Sequence, residues 1–362
     1  MKVLHAPVNV GNQPWVLSRH ERDQGVESDL VVNYSTWLGY PADRVLSRHA
    51  SRTVAEVARR LTFGLSAPFR YDVLHYYFGR SLLFWDDYSL AGPSWFADLR
   101  LARRLGRKIF MTLQGCDARL SADSARRNAT TPCALGECEL APACRERWDT
   151  SRRFLIERIL PLVDRVFVLN PELAHYVPGA VFQPYASVDV QAIEPVPART
   201  DRPPVVVHAP TSASIKGTKY IAEALRRLQG KLDFRYVEIT GVPHDEAMKM
   251  YREADLVVDQ VLAGWYGGLA VETMAMAKPV ACYIRDEDLA FLPPGMREAI
   301  PILRLTRETL EADLGRYIAD RAGLRTAGER GREFVLRWHN PSRIAAAMVA
   351  AYRDPASRFV LQ

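Results

Sequence analysis

The chain has 362 residues, long for one core and comfortable for two domains of about 180 residues each. Its 48 basic and 42 acidic residues leave a net charge of +6, too small an excess to favour nucleic acid over an anionic small molecule or an acidic membrane surface, and no specific nucleic-acid binding is expected. No apolar run reaches the roughly 20 residues that span a bilayer, and Met1 to His5 lead into a strand pattern and not a signal peptide, so the expected location is cytoplasmic, with peripheral contact at the inner membrane face left open. Short apolar runs alternate with longer amphipathic stretches, the pattern of an α/β chain with parallel sheets. In the first half this predicts strands over 3–6, 28–32, 73–77, 108–113 and 165–169 and helices over 13–24, 51–62, 89–105 and 149–162. Such sheets bind ligands at the carboxyl ends of their strands, which singles out the loops 7–12, 77–81 and 114–119. Prolines from Pro184 to Pro204 break the pattern and predict a linker over 184–204. A second series follows, with strands over 205–208, 234–239, 255–259 and 280–284 and helices over 218–228, 244–252 and 267–277. Asn340-Pro341-Ser342 reads as the cap and first turn of a last helix, 343–352. The expected organisation is a Rossmann-like domain over 1–183 with an insertion at about 116–148, a second such domain over 205–337, and a terminal segment, 338–362, returning to the first.

Two stretches read as anion sites. The strand ending at Val258 runs into a polar, glycine-rich loop that opens a helix, so Gly267, Gly268 and Leu269 would present backbone amides where no Cβ blocks approach. Glu272 would lie about one turn inside that helix. The stretch His208 to Thr218 repeats this logic: small polar residues Thr211 and Ser212, then Lys216 before a helix opened by Gly217. A lysine works against the helix dipole there, which favours a diphosphate contact over an ordinary surface lysine. Gly11, after the first strand, fits either a phosphate approach or a plain turn.

Lys216-Gly217, then Tyr266-Gly267, Glu272, Met274-Ala275 and Pro279-Val280, in this order, resemble the second domain of family 4 glycosyltransferases. Pro184 to Asp189 resembles that family's interdomain junction, and Leu113 to Asp117 falls where a His-Gly-x-Asp motif is common. The resemblance covers nearly the whole chain. It implies a GT-B architecture, two Rossmann-like domains facing across a cleft, with the first on the acceptor side and the second holding the donor. It also implies a UDP- or GDP-linked sugar donor, retention of anomeric configuration and no obligatory metal or other cofactor. Residue by residue, Lys216 would hold the diphosphate and Glu272 the ribose, with Thr211, Ser212, Gly217, Tyr266, Gly267, Gly268, Leu269 and Gly11 lining the donor. Gln114 and Asp117 would join Lys216 as catalytic candidates, and Asn12, Gln114 and Asp117 would face an acceptor that could be a glycan, a lipid-linked sugar or a small molecule. The departures fall at Gly264, where the first glutamate of the family's pair is expected, at Thr211 in place of an arginine, and at Gln114 in place of the histidine. They support an alternative, a catalytically weakened homologue that binds a nucleotide sugar as a sensor or partner subunit. An epimerase of the same architecture is a third reading.

Cys116, Cys133, Cys138 and Cys144 form a local group in which a structural zinc, disulfides and unlinked thiols are all chemically reasonable. A cross-link there would pin the insertion over the acceptor loops. Cys282, within a strand, reads as a buried small residue, and Asp286 to Asp288 as a solvated acidic turn. The basic runs Arg100, Arg103, Arg104, Arg107, Lys108 and Arg145, Arg147, Arg152, Arg153 fit either solvated helix faces or a surface for anionic lipid.

Overall fold

The computed structural model describes residues 1–47, 53–83 and 95–361. Two compact units emerge: Met1–Leu120, Ala143–Val188 and Pro341–Gln362 form the first, and Ser121–Pro142 with Asp189–Asn340 form the second. Both are parallel α/β sandwiches.

The first unit carries strands β1 (Lys2–Ala6), β2 (Glu27–Val32), β3 (Arg44–Val45), β4 (Val73–Tyr77), β5 (Lys108–Leu113), β6 (Arg165–Val168) and β7 (Val181–Phe182), in spatial order 3-2-1-4-5-6-7. Alternation along β1 sends Val3 and Leu4 to opposite faces. Val3 joins Leu17, Phe110 and Phe167 under the C-terminal helix Pro341–Arg353, while Leu4 joins Leu74, Tyr76, Phe63 and Leu99 on the other face. Each fully buried side chain of this kind contributes about 1.5–3 kcal/mol.

A polar cluster crosses the first face. His5 lies 2.7 Å from the Tyr77 hydroxyl and 2.8 Å from Glu21, and His75 lies 2.7 Å from both the Tyr352 hydroxyl and Thr112. Tyr352 donates to Glu21 over 3.1 Å. Burial, and then the charge of His5, hold the His75 pKa well below its ordinary value, so its ring is neutral.

The second unit carries β8 (Val205–His208), β9 (Arg235–Glu238), β10 (Leu256–Val258), β11 (Val280–Cys282) and β12 (Leu303–Arg304), in order 12-11-10-8-9. Its core gathers Val206, Ile221, Leu225, Leu256, Val258 and Leu314.

Several boundaries differ from expectation. The two-residue strands β3, β7 and β12 are too short to show a period. The helix expected over 51–62 runs from Val54 to Arg70, because Thr53 caps it through the Glu56 amide and Pro68 falls in its last turn; Ser51 lies outside the described residues. The helix expected over 89–105 is Ala97–Arg104, with 89–94 likewise outside them. The stretch 149–162 runs from α-helix (Asp149–Phe154) into a π turn at Leu155–Ile159 and a short 3-10 turn, and a further π turn, Cys144–Trp148, precedes it. The proline-rich segment is tied down, with Val196 donating to the Met276 carbonyl and Arg199 to Asp255 through their backbone amides. The insertion is divided between the units, and 121–142 belongs to the second.

Candidate functional site

In the second unit the strand order reverses between β8 and β10. Both strands end at the same edge, and their loops meet there. After β8 the chain makes a short helix, Ala213–Lys216, turns through Gly217 at φ 74° and enters the helix Thr218–Gln229. A Cβ on Gly217 would stand 2.7 Å from Val261 Cγ2, so both backbone geometry and space require glycine. After β10 the loop from Asp259 leads into the helix Gly268–Ala275. The loops are laced together. Lys216 Nζ pairs with Asp259 Oδ1, Gly267 N donates to Asp259 Oδ2 at 2.7 Å, and Val261 N donates to the Lys216 carbonyl at 3.0 Å. Asp259 is fully buried, while the lysine side chain retains 15% exposure and can reach a ligand.

Beneath this pair, His208 bridges the two strands. Its Nδ1 faces the Val258 carbonyl at 2.8 Å and therefore donates, leaving Nε2 to accept from Thr218 Oγ1 at 2.8 Å. Burial pushes its pKa down to about 4, against the opposing pull of the Val258 bond, so it braces the site as a neutral ring. Glu272 lies 2.9 Å from Nε2 of His244, which stands at the start of the helix after β9. Burial opposes charge on His244, but the bond and charge of Glu272, with Asp245, outweigh it and raise the pKa.

Gln260 also holds the β10 loop, donating to the carbonyls of Trp265 and Tyr283 and accepting from the amides of Leu262 and Ala263. Sequence reasoning missed Gln260, His208 and His244 as site residues. The available signal was a polar residue at or just past the ends of β8 and β10 for His208 and Gln260, and a histidine at a helix start for His244.

Lys216, Gly217, Gly267, Gly268, Leu269 and Glu272 all line these two adjacent strand ends or the helix that follows, while Thr211 is exposed on the β8 loop and Ser212 begins its short helix. Tyr266 departs from expectation: it is fully buried, stacked on Trp265 at 4.2 Å with its hydroxyl 2.9 Å from His339, and forms a wall beneath the loop. Gly264 has φ 76°, and a Cβ there would meet the Arg285 guanidinium at 2.7 Å. Arg285 is buried and donates to Asp288 and to the Thr130 carbonyl, each at 2.9 Å. A cation paired to its own carboxylate thus stands beside the position where the resemblance implies a glutamate. Asp288 is therefore buried, and the acidic turn is solvated only in part.

In the first unit, Gly11 and Asn12 adopt successive left-handed conformations after β1, and Asn12 Nδ2 donates to the Ser187 carbonyl at 3.1 Å. Asp117 accepts from the Gln114 amide at 2.9 Å and from the Gly115 amide at 2.6 Å. Burial raises its pKa, and those amide bonds offset the rise only in part. Gln114 reaches the Val10 carbonyl at 3.5 Å, which brings the β1 and β5 loops together. Next to them, Phe78, Arg80, Trp95, Asp117, Trp148 and Arg152 line a pocket within this unit.

The four clustered cysteines do not fit a zinc site. All are thiols, and among the described residues no group of three or more His, Cys, Asp or Glu side chains is arranged to hold a metal. Cys116 and Cys144 belong to the first unit beside Arg119 and Arg152, while Cys133 and Cys138 belong to the second. Ser214 Oγ donates to Cys138 at 3.8 Å, and Glu137 bonds Tyr220, Lys219 and Arg307. The middle of the insertion is therefore seated on the β8 loop and its helix. The basic runs are also partly structural. Lys108 caps the last helix through the carbonyls of Tyr352 and Arg353, and Arg152 is held by Asp149 and the Cys116 carbonyl. Cys282 is buried, as its place in β11 requires.

No protein-family model and no curated protein sequence matches the chain. Solved structures do match in fold. Sucrose-phosphate synthase from Thermosynechococcus elongatus aligns at a TM-score of 0.61 and 18% identity over 98% of this chain and 99% of that one. HepE from Anabaena, in complex with UDP and glucose, aligns at 0.59 and 10% identity over 98% and 99%. UDP-GlcNAc 2-epimerase from Neisseria meningitidis, bound to UDP-GlcNAc, aligns at 0.51 and 11% over 98% and 99%.

Proposed function

We propose that the chain is a retaining glycosyltransferase that takes its sugar from a nucleotide-linked donor, with the diphosphate at the β8 and β10 loops. The observation that carries this reading is the convergence of Lys216 with the amides of the Gly268–Ala275 helix start at adjacent strand ends where the order reverses. The UDP-containing neighbours support a UDP-linked sugar over a GDP-linked one.

Cleavage of the bond between the anomeric carbon and the phosphate oxygen leaves negative charge on the diphosphate and positive charge on the sugar ring. Lys216, released from Asp259, and the amides of Gly267 to Leu269 stabilise the first of these. The acceptor oxygen forms the new bond to that carbon. With retention it arrives on the face the phosphate leaves, so the departing phosphate oxygen takes its proton. Glu272, oriented by His244, holds the ribose hydroxyls. Asn12, Gln114 and Asp117 position the acceptor in the first unit.

The Gly264–Arg285 arrangement favours a second reading, a homologue that binds the nucleotide sugar and transfers it poorly or not at all. Titration calorimetry with UDP, GDP and UDP-glucose, followed by assays for UDP release and sugar transfer over an acceptor panel, separates the readings. Binding with transfer supports the first, binding without turnover supports the second, and failure to bind any nucleotide removes both. Conversion of the donor to an epimer without transfer would point to the third. Lys216→Ala should weaken donor affinity by roughly 1.5–3 kcal/mol. Because this also strips Asp259 of its partner, the double variant Lys216→Met/Asp259→Asn serves as the folded control.

A further inference from the structure

We propose that the outward face of the helix Val54–Arg70 docks the first unit on an anionic membrane surface. This helix buries Phe63, Gly64, Ala67 and Pro68 against the core, so its opposite face would ordinarily be polar. Instead Val54, Ala58, Leu61, Leu65 and Phe69 recur there at three- and four-residue spacing, and all are exposed, Val54 at 86% and Phe69 at 62%. The one acidic residue of the helix, Glu56, is buried and bonded to Thr53 Oγ1 at 2.7 Å. What flanks the stripe is basic: Arg59 and Arg70 on the helix itself, and Arg44, whose guanidinium lies over Phe63 at 5.2 Å.

The surface continues onto the neighbouring helix Ala97–Arg104. Arg107 Nε donates to the Pro68 carbonyl at 2.9 Å, which brings exposed Arg104 and Leu105 to the Phe69 end of the stripe. Nearby carboxylates are already engaged, Asp43 with Arg19 and Arg22, and Asp72 with the Lys2 amide. Among the described residues the apolar strip is flanked by arginines, and Asp72, exposed near its Phe69 end, is bonded to the Lys2 amide and faces Arg107 across 3.8 Å.

Such a face suits an interface where acyl chains take the apolar strip and anionic headgroups meet the arginines, the arrangement of an amphipathic helix lying in the membrane plane. Among the described residues no helix is long and apolar enough to cross a membrane. The partner's chemistry is set by the charge: a zwitterionic surface offers the arginines nothing, and a second copy of this chain would bring arginine against arginine.

The test is sedimentation of the full chain with vesicles of phosphatidylcholine alone and of phosphatidylcholine mixed with phosphatidylglycerol. Wild type should pellet with the mixed vesicles and not with the neutral ones, and added salt should weaken binding. Leu65→Ser/Phe69→Ser should lower the partition coefficient at least about tenfold. Arg59→Glu/Arg70→Glu should lower it further, at about fivefold or more per arginine. These positions are exposed, so an unchanged melting temperature and unchanged nucleotide affinity establish that both variants are folded. The proposal is overturned if wild type ignores anionic vesicles at low salt, or if the serine variant binds as wild type does. It is also overturned if wild type is a dimer in solution that the serine variant converts to monomer, which would assign the face to a second copy.

Discussion

The two sheets follow the same doubly wound plan, yet they use the polar residues at their strand ends in opposite ways. In the second unit Lys216 and Asp259 pair across the β8 and β10 loops, and the lysine keeps a route to solvent. In the first unit Asp117 spends both oxygens on the amides of its own loop, Asn12 ties β1 to Ser187, and His5 and His75 are sealed beneath the last helix. One edge is held by a charged pair whose lysine is partly exposed, the other by hydrogen bonds within its own loops. The difference supports placing recognition of a strong anion, as proposed, in the second unit.

The sharpest way to break this contrast is Lys216→Ala. It leaves the carboxylate of Asp259 buried without its cation, and a lost partner of a buried pair costs about 3–5 kcal/mol. Denaturant unfolding should show that loss in stability, and Lys216→Met/Asp259→Asn should recover most of it while donor binding stays weak. Asp117→Asn keeps an acceptor oxygen for its loop and should change stability far less. Gly264→Glu probes the same edge from the other direction. Placing there the glutamate that the resemblance implies should not raise activity, because the backbone is left-handed and Arg285 fills the space. The expected result is a loss of about 2–4 kcal/mol in thermal or denaturant unfolding. A stable and more active Gly264→Glu protein would show that Arg285 moves aside.

Much of this was legible in the sequence, and the limits have physical causes. Strands such as 73–77, 108–113 and 205–208 are predictable at their observed bounds because burial on both faces demands near-continuous apolar runs. The Lys216-Gly217 turn and the helix start at Gly267 and Gly268 were visible because glycine and a cation at a helix start are locally unusual. What stayed hidden depends on contacts remote in the chain. Glu272 meets His244, Arg285 fills the space beside Gly264, and Tyr266 turns inward to His339. No period or spacing encodes those meetings. The cysteine group stays undecided in sequence for the same reason: free thiols, one of its three open states, are observed because closeness in sequence did not put its members in one unit.

The first unit's side of the contrast is tested at Tyr352. Its hydroxyl meets both His75 and Glu21 where water cannot replace it, so Tyr352→Phe should cost about 1–3 kcal/mol in unfolding. Donor affinity should not change, because this cluster is buried within the first unit and the proposed donor contacts lie in the second. A variant that unfolds as wild type does would mean that the cluster contributes order without stability.

The smallest effect, and the one that bears most directly on how the donor edge is tuned, is the pH response of His244. Its pKa is raised in the folded protein, because the bond and charge of Glu272 exceed the cost of burial. The stabilisation is therefore fully present below the unfolded value of 6.5 and is lost as pH rises through the folded value. Melting temperatures followed between about pH 5.5 and 8.5 should fall on the alkaline side in wild type, and His244→Asn should flatten that part of the curve. Nucleotide should act on the same slope. If Glu272 turns to the ribose, it gives up part of its bond to His244, the raised pKa relaxes toward its ordinary value, and saturating UDP should reduce the pH dependence in wild type while leaving the His244→Asn curve unchanged in shape. An identical slope with and without UDP would detach Glu272 from the ribose and leave Lys216 and the helix amides as the donor contacts.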